Sequence, residues 1–241
     1  MAKRFFKVRS CIASVLCIAS LSAVSAQAFS DVSPNAYYKT AVDWAASEGI
    51  TLGSDKDRFS PDKLCSRAQT VTFLWRANGS PAVSGNNPFT DVAPEDYFYQ
   101  AVLWAVQNGV TSGTSATEFS PYKQVTRAQV ATFLHRAAGS PNPQSMARFA
   151  DVSSSAYYAN AVSWAAASGI TTGTSASAFS PDKGCTRAEI ATFLYRSQNG
   201  PTQTTKPEPA PEPTPQVTEK PVSDLTKLDE KKEETKKSEG G

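Results

Sequence analysis

Phe29-Ser30-Asp31-Val32, Phe89-Thr90-Asp91-Val92 and Phe149-Ala150-Asp151-Val152 begin 60 residues apart, twice over, and this register governs the reading of the whole chain. The same interval carries Trp44, Trp104 and Trp164, then Gly53, Gly113 and Gly173. Phe59-Ser60-Pro61, Phe119-Ser120-Pro121 and Phe179-Ser180-Pro181 follow, and last come Arg76, Arg136 and Arg196. The copies span 29–80, 89–140 and 149–199. Residues 81–88 and 141–148 join them and are rich in Pro, Ser, Gly and Asn, which marks linkers.

Each copy reads as helix, loop, helix. Tyr38, Ala41, Val42 and Ala45 form an apolar stripe at helical spacing with Trp44 beside it. Gly49, Gly109 and Gly169 end that helix, and the following Ile50, Val110 or Ile170 suits an apolar residue folding back after a left-handed glycine. The second helix starts at Ser66-Arg67-Ala68-Gln69, Thr126-Arg127-Ala128-Gln129 and Thr186-Arg187-Ala188-Glu189. In each, Ser or Thr stands three residues before Gln or Glu, the capping-box pattern. Val71, Phe73 and Leu74 continue its apolar face, matched by Ala131, Phe133 and Leu134 and by Ala191, Phe193 and Leu194. A unit of this size buries too little surface to stand alone, so the expected fold is mainly α, with the three units packed together and their helix stripes facing a common axis.

Lys3, Arg4, Lys7 and Arg9, the apolar stretch 11–24 and Ala26-Gln27-Ala28 have the order of a secretory signal peptide, giving residues 1–28 as a cleaved leader. The apolar stretch is shorter than the ~20 residues a bilayer span needs, so no stable membrane span is expected after cleavage. Removing the leader's four positive charges takes the formal charge from +2 to −2, with 13 basic and 13 acidic residues over 29–199 and 7 against 9 over 200–241. No basic excess remains for a phosphate backbone, which argues against nucleic acid as a partner. From Gly200 the chain turns to alternating Pro and Glu and then to Lys/Glu runs, the composition of a disordered tail acting as an extended spacer.

Phe-x-Asp-Val, a pair of aromatics, Ala-Val-x-Trp-Ala, Gly-Ile/Val-Thr-x-Gly, Phe-Ser-Pro and Ser/Thr-Arg-Ala-Gln/Glu, three times in that order, resemble the S-layer homology family over residues 29–199. The resemblance implies a pseudo-threefold arrangement of three repeats whose inter-repeat grooves bind pyruvylated secondary cell-wall polysaccharide without a covalent bond. Two departures stand out. Ser54-Asp55-Lys56-Asp57-Arg58 replaces the Thr-Ser-Ala sequence of the other copies before Phe59, and Ser66 stands where the family usually has threonine.

The capping box leaves the arginine after the cap without a role in the fold, which makes Arg67, Arg127 and Arg187 the leading ligand candidates. At the first turn of a helix, unpaired N–H groups and the positive dipole end favour an anion, and a guanidinium there can clamp a carboxylate with two parallel bonds. The competing reading is a salt bridge to Asp31, Asp91 or Asp151. On the ligand reading, Arg127→Ala weakens polymer binding and leaves melting nearly unchanged. Lys63, Lys123 and Lys183, four residues earlier, either add charge to the same groove or are solvated turn lysines. Gly53, Gly113 and Gly173 either admit a sugar close to the backbone or serve turn geometry alone. Trp44, Trp104 and Trp164 are sugar-stacking or core residues, with core favoured. Arg76, Arg136 and Arg196 complement the dipole at the end of helix two.

Cys65 and Cys185 occupy equivalent positions that Val125 fills in the second copy, which points to a buried apolar slot holding two thiols; a disulfide between them is the alternative. His135 is the sole histidine and reads as a helix-surface residue. With no metal-ligating cluster, no histidine to activate a nucleophile and no recurring carboxylate pair, neither a metal nor another cofactor is expected, and the chain does not read as an enzyme. Two functions follow: a secreted wall-polymer anchor at the bacterial cell surface, or a structural surface protein whose repeats mediate lattice or protein–protein assembly. The tail leaves room for a cargo protein as a further partner.

Overall fold

In the computed structural model, which describes residues 29–200, six helices recur at the repeat interval: α1 Lys39–Ser47, α2 Arg67–Ala77, α3 Tyr99–Gln107, α4 Arg127–Ala137, α5 Ala159–Ala167 and α6 Arg187–Asn199. The leader 1–28 and the tail beyond Gly200 lie outside the described residues. Among those described there are no strands, only three isolated antiparallel bridges, so the protein is mainly helical as expected.

The local signals act as their chemistry requires. Ser66, Thr126 and Thr186 each accept the N–H of the residue three on, while Gln69, Gln129 and Glu189 reach back to the cap's own N–H, three complete capping boxes. Gly49, Gly109 and Gly169 adopt φ of 68 to 69°, and the N–H groups of Ile50, Val110 and Ile170 return to the carbonyls of Ala45, Ala105 and Ala165 at 2.8 Å.

The packing is more interleaved than three helical hairpins. Helix α3 packs on α2, α5 on α4, and α1 on α6, so the first helix of each copy lies against the second helix of the copy before it, and the circuit closes. Only the second helices, α2, α4 and α6, meet one another around the centre. The first helices lie outside them, and buried residues of theirs such as Ala45, Val102 and Ala165 join the cluster that holds Cys65, Val125 and Cys185. Two apolar clusters show the exchange directly. Phe29, Val32, Val42 and Phe59 pack with Ala188 and Ala191 of α6, and Val162 and Phe179 pack with Ala128 and Ala131 of α4. The small alanines on the second helix let the neighbouring copy's aromatic residues approach closely.

At the axis the chain closes a hydrogen-bonded triangle. The Cys65 N–H donates to Cys185 O, the Cys185 N–H to Val125 O, and the Val125 N–H to Cys65 O, each at 3.0 Å. All three side chains are fully buried there, and the two cysteines stand as free thiols. Burial pushes the Cys65 thiol up to about 12, against the opposing pull of Arg187 and Lys63.

Candidate functional site

Asp31, Asp91 and Asp151 anchor the loops that carry the site. Asp31 accepts the N–H groups of Phe59 and Ser60 at 2.8 Å each, and Asp91 and Asp151 do the same for Phe119–Ser120 and Phe179–Ser180. The pinned serines, Ser60, Ser120 and Ser180, sit at φ of 56 to 57°, a left-handed backbone that non-glycine residues adopt only when held. The Asp carboxylates are thus committed within their own copies. The proposed salt bridges from them to Arg67, Arg127 and Arg187 do not form; the arginine that approaches Asp31 is Arg58, at 3.7 Å.

The three arginines after the caps have a clear structural task, contrary to the sequence reading. They are 3, 3 and 4% exposed, and each Nε donates across to the next copy: Arg67 to Phe119 O at 2.9 Å, Arg127 to Phe179 O at 2.9 Å, Arg187 to Phe59 O at 2.7 Å. Each guanidinium also lies over that phenylalanine, 4.8 to 4.9 Å from the ring centroid, and over a second, Phe133, Phe193 or Phe73. Nor are the helix N-termini open to an anion. The N–H groups of Arg67 and Ala68 donate to the carbonyls of Lys123 and Pro121, and the other two copies repeat this contact around the ring.

A groove of about 360 Å³ nevertheless opens beside Arg67, lined by Thr111, Ser112, Gly113, Thr114, Lys123, Gln129, Thr132, Phe133, Arg136 and Tyr157. It draws on all three copies: Arg67 from the first, its floor from the second, Tyr157 from the third. Lys123 therefore shares a groove with the arginine of the preceding copy and not with Arg127, which corrects the expected pairing. Gly113 is there because nothing larger fits. At φ +88° a Cβ would sit 2.5 Å from Glu118 O and from Phe89 Cε1, and Gly53 and Gly173 are confined in the same way. The substituted loop Ser54–Arg58 keeps this geometry, since Ser54 N donates to Arg58 O at 2.8 Å just as Thr114 N does to Glu118 O.

No tryptophan lines this groove. Trp104 is 2% exposed, Trp44 packs edge-on against Tyr195 and Trp164 against His135, so all three serve the core. His135 is itself buried, with Nε2 2.8 Å from Pro141 O, and not a surface residue. Arg76, Arg136 and Arg196 do more than complement their own helix. Their Nη1 atoms donate to the carbonyls of Ile50, Val110 and Ile170 just past the first helix, and Arg136 lines the groove. Sequence reasoning missed Tyr157, Gln129 and Arg136 as groove residues. The aromatic pair held a signal for the first: Tyr158 is half-buried in a cluster, while Tyr157 is 68% exposed.

Electrostatically the Arg67 groove is cationic. Arg67, Lys123 and Arg136 line it, and no carboxylate does. Burial lowers the pKa of Arg67, and Arg67 Nη2 is buried without a hydrogen-bond partner.

The S-layer homology domain model matches residues 28–71, 88–131 and 148–191. The chain is similar to the Surface-layer 125 kDa protein of Lysinibacillus sphaericus, 31% identical over 80% of this chain and 17% of that one. It is similar to the S-layer protein of Bacillus thuringiensis subsp. finitimus, at 28% identity over 89% of this chain and 27% of the relative. An exoglucanase of Acetivibrio thermocellus matches at 26% identity over 69% of this chain and 16% of its own. The chain thus spans about a quarter or less of the length of these relatives.

Proposed function

Because the chain belongs to the S-layer homology family, we propose that it is a non-enzymatic cell-surface module that holds an acidic secondary cell-wall polysaccharide in the grooves between its repeats, the acid being a carboxylate of the kind a pyruvyl ketal presents. The observation that carries this reading is the composition of the Arg67 groove. Three cationic side chains converge without a carboxylate, and one guanidinium nitrogen has no partner. Charge-assisted hydrogen bonds to a carboxylate are about twice as strong as neutral ones, and a guanidinium suits them geometrically. Tyr157 at the wall offers an exposed ring for a sugar face, and the Thr and Ser hydroxyls of the loop supply partners for sugar hydroxyls.

The S-layer homology match and the surface-layer relatives support the non-enzymatic part of this reading. The exoglucanase relative, of which the chain spans 16%, is compatible with a shared surface module.

The test is co-sedimentation of the purified protein with bacterial wall sacculi before and after the non-peptidoglycan polymer is stripped. Lys123→Glu and Tyr157→Ala alter exposed groove residues without touching the core. Intact sacculi should retain the protein, stripped sacculi should not, and Lys123→Glu should weaken retention by about tenfold or more. Equal retention by stripped sacculi would transfer the function to protein-mediated surface assembly.

A further inference from the structure

We propose that the three arginines are not equivalent: the groove headed by Arg67 accepts the carboxylate of an acidic sugar, while Arg127 is already paired with the protein's own Glu189. The inference rests on the polysaccharide reading for its ligand class but on a separate observation for the distinction.

Each buried arginine belongs to a groove whose capping-box residue comes from the following copy. That residue is Gln129 for Arg67, Glu189 for Arg127 and, by the same register, Gln69 for Arg187. Glu189 uses both oxygens. Oε2 accepts the Thr186 N–H at 2.9 Å, and Oε1 accepts Arg127 Nη1 at 2.8 Å, in a pair whose side chains are 9% and 3% exposed. The charge of Arg127 is neutralised before any ligand arrives, and a second carboxylate beside it would meet the first in a low-dielectric site.

Glutamine cannot do this. Gln129 Oε1 is spent on the Thr126 N–H at 3.2 Å, and what remains is an amide NH₂, a donor. Arg67 therefore has no carboxylate where Arg127 has Glu189 on its Nη1, and its other terminal nitrogen, Nη2, is buried without a partner. Two donors beside an uncompensated charge are complementary to a two-oxygen anion. Arg187 differs from both: Gln69 Oε1 accepts the Ser66 N–H at 3.1 Å, and the Arg187 guanidinium is held by the Thr51 hydroxyl at 3.4 Å and by the Cys65 thiol. A one-atom difference, Glu for Gln, thus separates the ion-paired Arg127 from Arg67, which no carboxylate meets.

The arginine Nε–H groups report on the grooves one by one, because each donates to a buried carbonyl and exchanges slowly with water. ¹⁵N-labelled full chain is titrated with sodium glucuronate at constant ionic strength, with glucose as the uncharged control. The Arg67 resonance should shift saturably, and any response at Arg127 should be weaker by at least about tenfold, the size of one lost charge-assisted bond. Glu189→Gln should bring Arg127 into the same concentration range, and Gln129→Glu should silence Arg67. The two exchanges are reciprocal, so poor folding of one still leaves the other to decide. Arg127 responding like Arg67 in the unaltered protein, or no response at Arg67, overturns the proposal. Sacculus sedimentation run alongside separates the two claims. Retention by stripped sacculi removes the polymer and leaves the glucuronate contrast standing, whereas polymer-dependent retention with equal response at Arg67 and Arg127 removes the contrast alone.

Discussion

Replacing Arg127 with alanine should destabilise the protein severely. The side chain supplies Nε to Phe179 O at 2.9 Å, Nη1 to Glu189 at 2.8 Å, and stacking on Phe179 and Phe193. Its removal leaves a buried carboxylate without its cation and a carbonyl without its donor. Breaking a buried pair from one side costs about 3–5 kcal/mol, and the lost carbonyl bond falls largely within that figure because both depend on one side chain. Against a typical stability of about 5–15 kcal/mol, this is a large fraction. The melting temperature should fall by roughly 6–20 °C for a chain of this size. Urea denaturation followed by far-ultraviolet circular dichroism measures it, with Lys123→Ala as the exposed control expected within about 0.5 kcal/mol of the parent. Repeating Arg127→Ala in a Glu189→Gln background should reduce the loss, since no buried charge is then stranded. A loss below about 1 kcal/mol for Arg127→Ala, or the same loss in both backgrounds, would refute the assignment of Arg127 to the fold.

Burial alone would raise the carboxyl pKa of Asp31, but the N–H groups of Phe59 and Ser60, aided by Arg58, hold it below the usual value. A carboxyl depressed in the folded state stabilises above its unfolded pKa of about 3.9 and loses that contribution as pH falls through the folded value. The urea midpoints of the parent and Asp31→Asn should therefore differ fully at pH 7 and converge near pH 2; an unchanged gap at pH 2 counts against the pinning role. Cys65 and Cys185 should resist iodoacetamide at pH 8 in the folded protein and react once urea unfolds it, because both thiols are buried and raised by desolvation. Labelling of either at the rate of a free thiol would contradict the closed axis. Gly113→Ala should cost at least about 1–3 kcal/mol from backbone strain, with the 2.5 Å approach to Glu118 O adding to it; a melt within 2 °C of the parent would show that the loop yields.

What the sequence made legible was everything that acts within one or two helical turns. Capping boxes, glycine stops and apolar stripes are local, and each appears where its residues stand. The partner of each helix was not legible, because the 60-residue period is identical whether α2 packs on α1 or on α3. Only the alanines at 128, 131, 188 and 191, which accept aromatics from a neighbouring copy, hinted at exchange. The structural role of the arginines was missed for the same reason. Their Nε acceptors lie 52, 52 and 128 residues away, so nothing near them in the chain shows a structural role.

The structural role does not displace the binding role, and the guanidinium shows why. Bonding to the Phe119 carbonyl occupies Arg67 Nε alone and stacking occupies the planar faces, which leaves the Nη edge over for something else. In the second groove that something is Glu189, which uses the edge for stability. In the first groove no carboxylate takes that place, and Nη2, the other terminal nitrogen, is buried and unpaired, an arrangement that costs stability when no ligand is present. A chain that carries glutamate at position 189 and glutamine at position 129 has one arginine edge spent on the fold and another, that of Arg67, whose strongest available interaction is with a bound anion. Measured stability and measured affinity should therefore trade against each other at positions 129 and 189.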